Sequence, residues 1–148
     1  MAPLPPDPGP LFQRLLHVAA LVEARLEGAV APTGLSLAKL GVLQHLVEAG
    51  ESLALGQLAE RIACVKSNVT QLVDRLEAEG LVRRETDPSD RRVVRAVITP
   101  EGQRRFAEGA RARARAEQEL AATIPAGARP AIAELVAAIE RGAADDVV

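Results

Sequence analysis

Residues 55–99 constrain this chain more than any other stretch. They read LGQLAERIACVKSNVTQLVDRLEAEGLVRRETDPSDRRVVRAVIT. Apolar residues fall twice at helical spacing and then in two short strand-like runs. Leu55, Leu58, Ala59 and Ile62 share one face of a predicted helix over about 55–62. After a short turn at Ala63-Cys64, the residues Val65, Val69, Leu72, Val73 and Leu76 mark the buried face of a second helix over about 66–79. Gly80 ends it by supplying a left-handed residue. Leu81–Glu85 and Val93–Ile98 then read as two strands, the second rich in β-branched residues. The connection between them, with Asp87, Pro88, Ser89 and Asp90, is turn chemistry. Two short helices followed by a basic hairpin predict a winged helix-turn-helix, a mainly α fold with a small β-hairpin wing.

The flanks are helical. Pro10 suits the first turn of a helix, and Leu11, Leu15, Val18 and Val22 carry its period to about residue 30. Pro32-Thr33-Gly34 breaks it. Ser36 is the expected N-cap of a helix over about 37–49, with Leu40, Leu43 and Val47 inward and Gly50 as the stop. Thr99-Pro100-Glu101 combines a hydroxyl cap, a proline at the first helical position and an acid near the positive end of the dipole. It predicts a helix over about 100–122, with another over about 128–141 beyond Pro125 and Gly127. The expected organisation is a proline-rich, flexible segment at 1–9, dimerisation helices at 10–35 and 100–142, a DNA-binding domain at 36–99, and a flexible tail at 143–148.

The second helix of the motif has a face free of the core: Lys66, Ser67, Asn68, Thr70, Gln71, Asp74 and Arg75. These are the side-chain types that bond base edges and phosphates of double-stranded DNA. Asn68 and Gln71 suit bidentate pairing with adenine, Lys66 suits guanine or a phosphate, Thr70 suits a thymine methyl, and Arg75 suits a phosphate. The same polarity also fits a solvated surface helix. Asp74 is awkward against DNA and is expected to pair with Arg75 or with an arginine of the wing. On the wing, Arg92 is assigned to the minor groove, where the negative potential draws a guanidinium, and Arg91 to flanking phosphates. Asp87 or Asp90 is expected to hold the inserted arginine.

Composition narrows the alternatives. Aromatic residues make up 1% of the chain, so recognition by base stacking, as in single-strand and RNA binders, is not expected. The single cysteine, Cys64, rules out an internal disulfide and a multi-cysteine zinc site, and with only His17 and His45 no metal site or cofactor is expected. There is no Ser-His-acid set and no glycine-rich phosphate loop, so the chain is not expected to be an enzyme. No apolar run approaches a membrane span and no signal peptide is recognisable, which predicts a cytoplasmic protein with no membrane partner. The formal charge of −2 conceals an uneven distribution, with Arg83, Arg84, Arg91, Arg92 and Arg95 concentrated between residues 81 and 99.

Residues 36–103 resemble the multiple-antibiotic-resistance regulator (MarR) family of bacterial winged-helix proteins. The matching pieces are LAKLGVLQHL, LGQLAERI, VTQLVDRLEAEGLVRR, DPSDRR and ITPEG. The resemblance implies a homodimer with interlocking terminal helices and binding to a pseudo-palindromic operator. It also implies, as in many relatives, release by a small aromatic or phenolic effector, or in others by oxidation of a cysteine. Candidate effector-pocket residues are Phe12, His17 and His45, the histidines as donors to a carboxylate. Two departures stand out. The chain lacks the tyrosine and tryptophan that such pockets often use, and Cys64 lies at the helix-turn-helix turn and not in the first helix. Two alternatives stay open: a winged-helix module for protein contacts without DNA, and a redox-responsive regulator using Cys64.

Overall fold

A computed structural model describes residues 9–62 and 66–145. The elements run α1 (Gly9–Val30), a 3-10 turn (Ala31–Thr33), α2 (Leu37–Glu48), β1 (Ser52–Ala54), α3 (Leu55–Ile62), α4 (Lys66–Ala78), β2 (Val82–Thr86), β3 (Val94–Ile98), α5 (Pro100–Ala122), a second 3-10 turn (Ala126–Ala128) and α6 (Arg129–Asp145). The chain divides into two compact units, one ending at Ala116 and the other beginning at Glu117, so the boundary falls inside α5.

Local signals place most of these ends. The Ser36 side chain accepts a hydrogen bond from the Lys39 N–H at 3.2 Å, satisfying one of the donors left over at the start of α2. Gly80, at φ +74°, closes α4 in the left-handed conformation that costs glycine least. Thr99 caps α5 through its hydroxyl, which accepts from the Gly102 N–H at 3.0 Å and donates to the Gly80 carbonyl at 2.7 Å. The same threonine therefore starts α5 and anchors it to the end of α4. Packing there is close: a Cβ at Gly102 would collide with the Leu81 carbonyl oxygen.

The core of the first unit is apolar and continuous. Leu40, Val42, Leu43 and Leu46 of α2, Leu58 of α3, and Val69, Val73 and Leu76 of α4 are buried against Leu81, Val82, Ala96 and Ile98. Val47 does not join them. It is an exposed apolar residue, because α2 buries the stripe that ends at Leu46 and the next position lies about 100° further round the helix. The Ala63-Cys64 turn and Val65 lie outside the described residues.

The sheet has three strands where the sequence predicted two. Its order is β1-β3-β2, antiparallel throughout. Strand β1 pairs Ser52 with Val97 and Ala54 with Arg95, so the segment before α3 is stitched to the wing. Strand β2 pairs Val82 with Ile98 and Thr86 with Val94.

In the second unit, Arg129 Nη2 donates to the Ala121 carbonyl at 3.0 Å near the end of α5. Helix α6 leaves Ile132, Leu135, Val136 and Ile139 exposed, at offsets 0, 3, 4 and 7 along one face. Within the first unit, α1 does the same with Leu11, Val18 and Val22, at offsets 0, 7 and 11.

Candidate nucleic-acid interface

Helix α4 owes its orientation to Val69, Val73 and Leu76, which have no exposed surface. Burying that stripe turns Asn68, Gln71 and Arg75 outward as a row at offsets 0, 3 and 7, all exposed. Thr70 is half-buried. Lys66 and Ser67 open the helix, and their side chains lie outside the described residues.

Asp74 lies beside this row and faces the wing. It accepts from Arg84 Nη2 at 2.5 Å, so its partner is the wing-strand arginine and not its neighbour Arg75. Arg84 Nη1 also donates to Glu77 Oε2 at 2.6 Å. Partial burial works against the Arg84 cation, but Asp74 and Glu77 outweigh it and raise its pKa.

The wing is built around two carboxylates. Asp87 Oδ1 accepts from the Ser89 N–H at 2.8 Å and from the Ser89 hydroxyl at 2.5 Å, with the Asp90 N–H further off at 3.3 Å. This side-chain turn rigidifies the loop without using the sheet ladder. Its other oxygen accepts from Arg95 Nη1 at 3.1 Å, and Arg95 Nε donates to the Ser52 hydroxyl at 2.8 Å. The Ser89 donors, helped by Arg95, hold the Asp87 carboxyl down at about 2.

Asp90 grips Arg92 three ways. The Arg92 backbone N–H donates to Oδ1 at 3.0 Å, Nε donates to Oδ1 at 3.1 Å, and Nη2 donates to Oδ2 at 3.1 Å. That fork lowers the pKa of Asp90. The Arg92 side chain is nonetheless 91% exposed, so it is aimed but not enclosed. Arg91 is also exposed, and among the described residues no ion-pair partner holds it.

The three effector candidates do not converge. Phe12 and His17 are exposed on α1, five positions apart and so about 140° apart around the helix. His45 is half-buried on α2, with Nδ1 3.7 Å from Glu48 Oε2. A cleft of about 580 Å³ does open between the start of α3 and the wing, beside Leu55, Glu60, Arg92 and Val94, and none of the three lines it.

Sequence reasoning missed Arg84, Glu77, Arg95 and Ser52. A signal existed for Arg84. In a strand, residues 82 and 84 share a face, and Val82 is core, so alternation puts Arg84 on the inward face, while the element it meets there is set by how β2 packs. Ser52 and Arg95 gave no comparable cue, because their meeting depends on the third strand.

No single described helix is long and apolar enough to cross a membrane. Residues 33–93, from the end of the first 3-10 turn to the wing turn before β3, match the sequence model of the MarR family. The uncharacterised HTH-type transcriptional regulator YsmB of Bacillus subtilis is 34% identical over 90 residues, 61% of either chain. The HTH-type transcriptional repressor MdtR of the same organism is 40% identical over 75 residues, 51% of this chain and 48% of that one. The chain thus aligns with only about half to three fifths of these curated relatives' length. Among solved structures, the MarR family transcriptional regulator Sco3205 of Streptomyces coelicolor, in complex with DNA, is 25% identical with a TM-score of 0.81, covering 94% of this chain and 92% of that one. These relatives are regulators of transcription and not enzymes. The segment they share is the helix-turn-helix and the start of its wing, and over residues 33–93 the chain is similar to the MarR family.

Proposed function

We propose that this protein is a sequence-specific transcriptional regulator that binds a pseudo-palindromic operator as a homodimer and represses from it. One observation carries the reading. The row of Asn68, Gln71 and Arg75 is exposed on α4, and beside it the wing exposes Arg91 and Arg92, with the Arg92 guanidinium clamped by Asp90. A polar helix face and a cationic hairpin are what the major and minor grooves respectively require. In this reading Lys66, Ser67, Asn68, Thr70, Gln71 and Arg75 meet the major groove, while Arg91 and Arg92 meet the backbone and the narrow groove. Asp90 acts as the clamp on Arg92.

The exposed apolar faces of α1 and of α6 supply the dimer contact. Leaving such faces wet is costly, and a second copy of the chain buries them symmetrically. The two copies of α4 must then stand roughly 34–36 Å apart to reach successive major grooves on one side of the duplex. Repression is supported by the name of the relative MdtR. Release by a small aromatic or phenolic effector completes the proposal. Its site is not the trio Phe12, His17 and His45 acting together within one protomer, since Phe12 and His17 point apart.

A gel-shift titration with the chain's own upstream DNA, run at several salt concentrations, tests the core of this reading. Binding should fall steeply with salt as counterions are released from phosphates. Salt-insensitive or absent binding to every duplex would favour a winged helix used for protein contacts.

A further inference from the structure

Helix α4 carries a second polar stripe, distinct from the one that faces outward. Thr70, Asp74 and Glu77 stand at offsets 0, 4 and 7 and face strand β2. One guanidinium gathers all three. Arg84 Nη2 donates to Asp74 Oδ1 at 2.5 Å and reaches the Thr70 carbonyl at 3.5 Å, and Nη1 donates to Glu77 Oε2 at 2.6 Å. The Arg84 backbone N–H adds a bond to Glu77 Oε1 at 3.2 Å. A single strand residue therefore grips two successive turns of the helix. Its neighbour Arg83 pairs within its own strand, with Glu85 at 2.7 Å, and so serves as a natural control. The Arg84 side chain is 25% exposed, so its charge is spent on protein carboxylates before any nucleic acid arrives.

We propose that Arg84 is a positioning residue that locks the wing to the recognition helix, so that the two reading elements meet DNA as one rigid unit. The role rests on the DNA-binding reading above. The physical reason is entropic: two elements that move independently must be ordered on binding, and that cost is subtracted from affinity for the correct site. Fork geometry matters as much as charge. A guanidinium can serve two carboxylates with separate, directed N–H groups, whereas a lysine ammonium is a point charge on a flexible stem.

The test uses the full chain with spin labels on Ala78→Cys in α4 and Pro88→Cys in the wing, in a Cys64→Ser background. Electron–electron resonance then reads the spread of distances between helix and wing without DNA. The unmodified network should give a narrow distribution. Arg84→Gln should broaden it, Arg84→Lys should not restore it, and Arg83→Gln should leave it narrow. Asp74→Asn with Glu77→Gln should broaden it too, which answers the question if Arg84→Gln fails to fold. On DNA, Arg84→Gln combined with Asp74→Asn preserves net charge. It should weaken binding to the selected operator on the order of tenfold. Affinity for random duplex and the salt slope should hold. An unchanged distance spread in both the Arg84→Gln and the Asp74→Asn/Glu77→Gln proteins would overturn the lock. So would a salt slope reduced by the ~0.9 that one lost phosphate contact removes, since Arg84 would then be a backbone contact. If the unmodified protein bound no duplex at all, the DNA reading would fail while the distance measurement still judged the lock.

Discussion

Arg95 of strand β3 joins Asp87 of the wing turn to Ser52 of strand β1, with Nη1 3.1 Å from Asp87 Oδ2 and Nε 2.8 Å from the Ser52 hydroxyl. The wing is thereby tied to the segment that leads into α3. The tie has a pH window. Asp87 sits at about 2 in the folded chain against an ordinary 3.8, so the folded state prefers it ionised. A depressed carboxyl stabilises fully above the unfolded value and loses that contribution as pH falls toward the folded one. Protection of the Ser89 and Asp90 amides, taken relative to their intrinsic exchange rates at each pH, should therefore hold from neutral pH to about 4 and fall between roughly 4 and 2. In Asp87→Asn the protection should be lower at neutral pH and should lack that acid step. An identical acid step in the variant would remove Asp87 as its source.

Arg92 supports no core: its side chain is 91% exposed and its partners belong to Asp90. Arg92→Ala should leave the thermal midpoint close to that of the unmodified chain and weaken operator binding by about 1–3 kcal/mol. Asp90→Ala should lose part of the same affinity by freeing the guanidinium that it aims. Wild-type affinity in Arg92→Ala would remove the residue from the interface.

Gln71 is exposed midway along the outward row of α4, between Asn68 and Arg75. A carboxamide there can donate and accept together at an adenine edge. Selection of bound duplexes with Gln71→Ala should relax one base position per half-site, at about 1–3 kcal/mol. A uniform loss over all sequences would make Gln71 a phosphate contact instead.

The helices were readable because their ends carry chemistry. Ser36, Gly80 and Thr99-Pro100 each act at the boundary that the sequence indicated. Strand β1 was not readable: three residues are too few to display alternation, and the pairing of Leu53 with Ala96 is a contact 43 positions away. The outward row of α4 followed from its buried stripe, since fixing Val69, Val73 and Leu76 inside fixes Asn68 and Gln71 outside. The ion pairs were harder. Asp74 had several arginines within plausible reach, and only the placement of β2 against α4 selects Arg84. Phe12, His17 and His45 had no such frame, because a pocket depends on how whole elements meet and leaves no period in the sequence.

Gly102 lies where α5 presses on the Leu81 backbone, and no side chain fits between them. An alanine there would improve helix propensity on an open surface, yet here its methyl group meets a carbonyl oxygen that is itself bonded to the Thr99 N–H at 3.0 Å. The backbone must shift to admit it. Gly102→Ala should therefore destabilise the fold by about 1–3 kcal/mol in urea unfolding, the usual cost of overpacking. A neutral or stabilising result would mean that α5 can move away from Leu81 at little cost.

The exposed stripe Ile132, Leu135, Val136 and Ile139 covers nearly two turns of α6, and α1 exposes a second along Leu11, Val18 and Val22. A lone chain in water would keep both stripes hydrated, at roughly 25 cal/mol for each Å² of apolar surface that a partner could cover. Sedimentation at micromolar concentration should therefore give a dimer. Leu135→Glu places a charge in the middle of the α6 stripe and should shift the protein toward monomer with its helicity retained. Operator affinity should fall with dimerisation, because half-sites one turn apart need two reading heads on one body. A monomeric unmodified chain, or a Leu135→Glu dimer of unchanged strength, would move the interface away from α6.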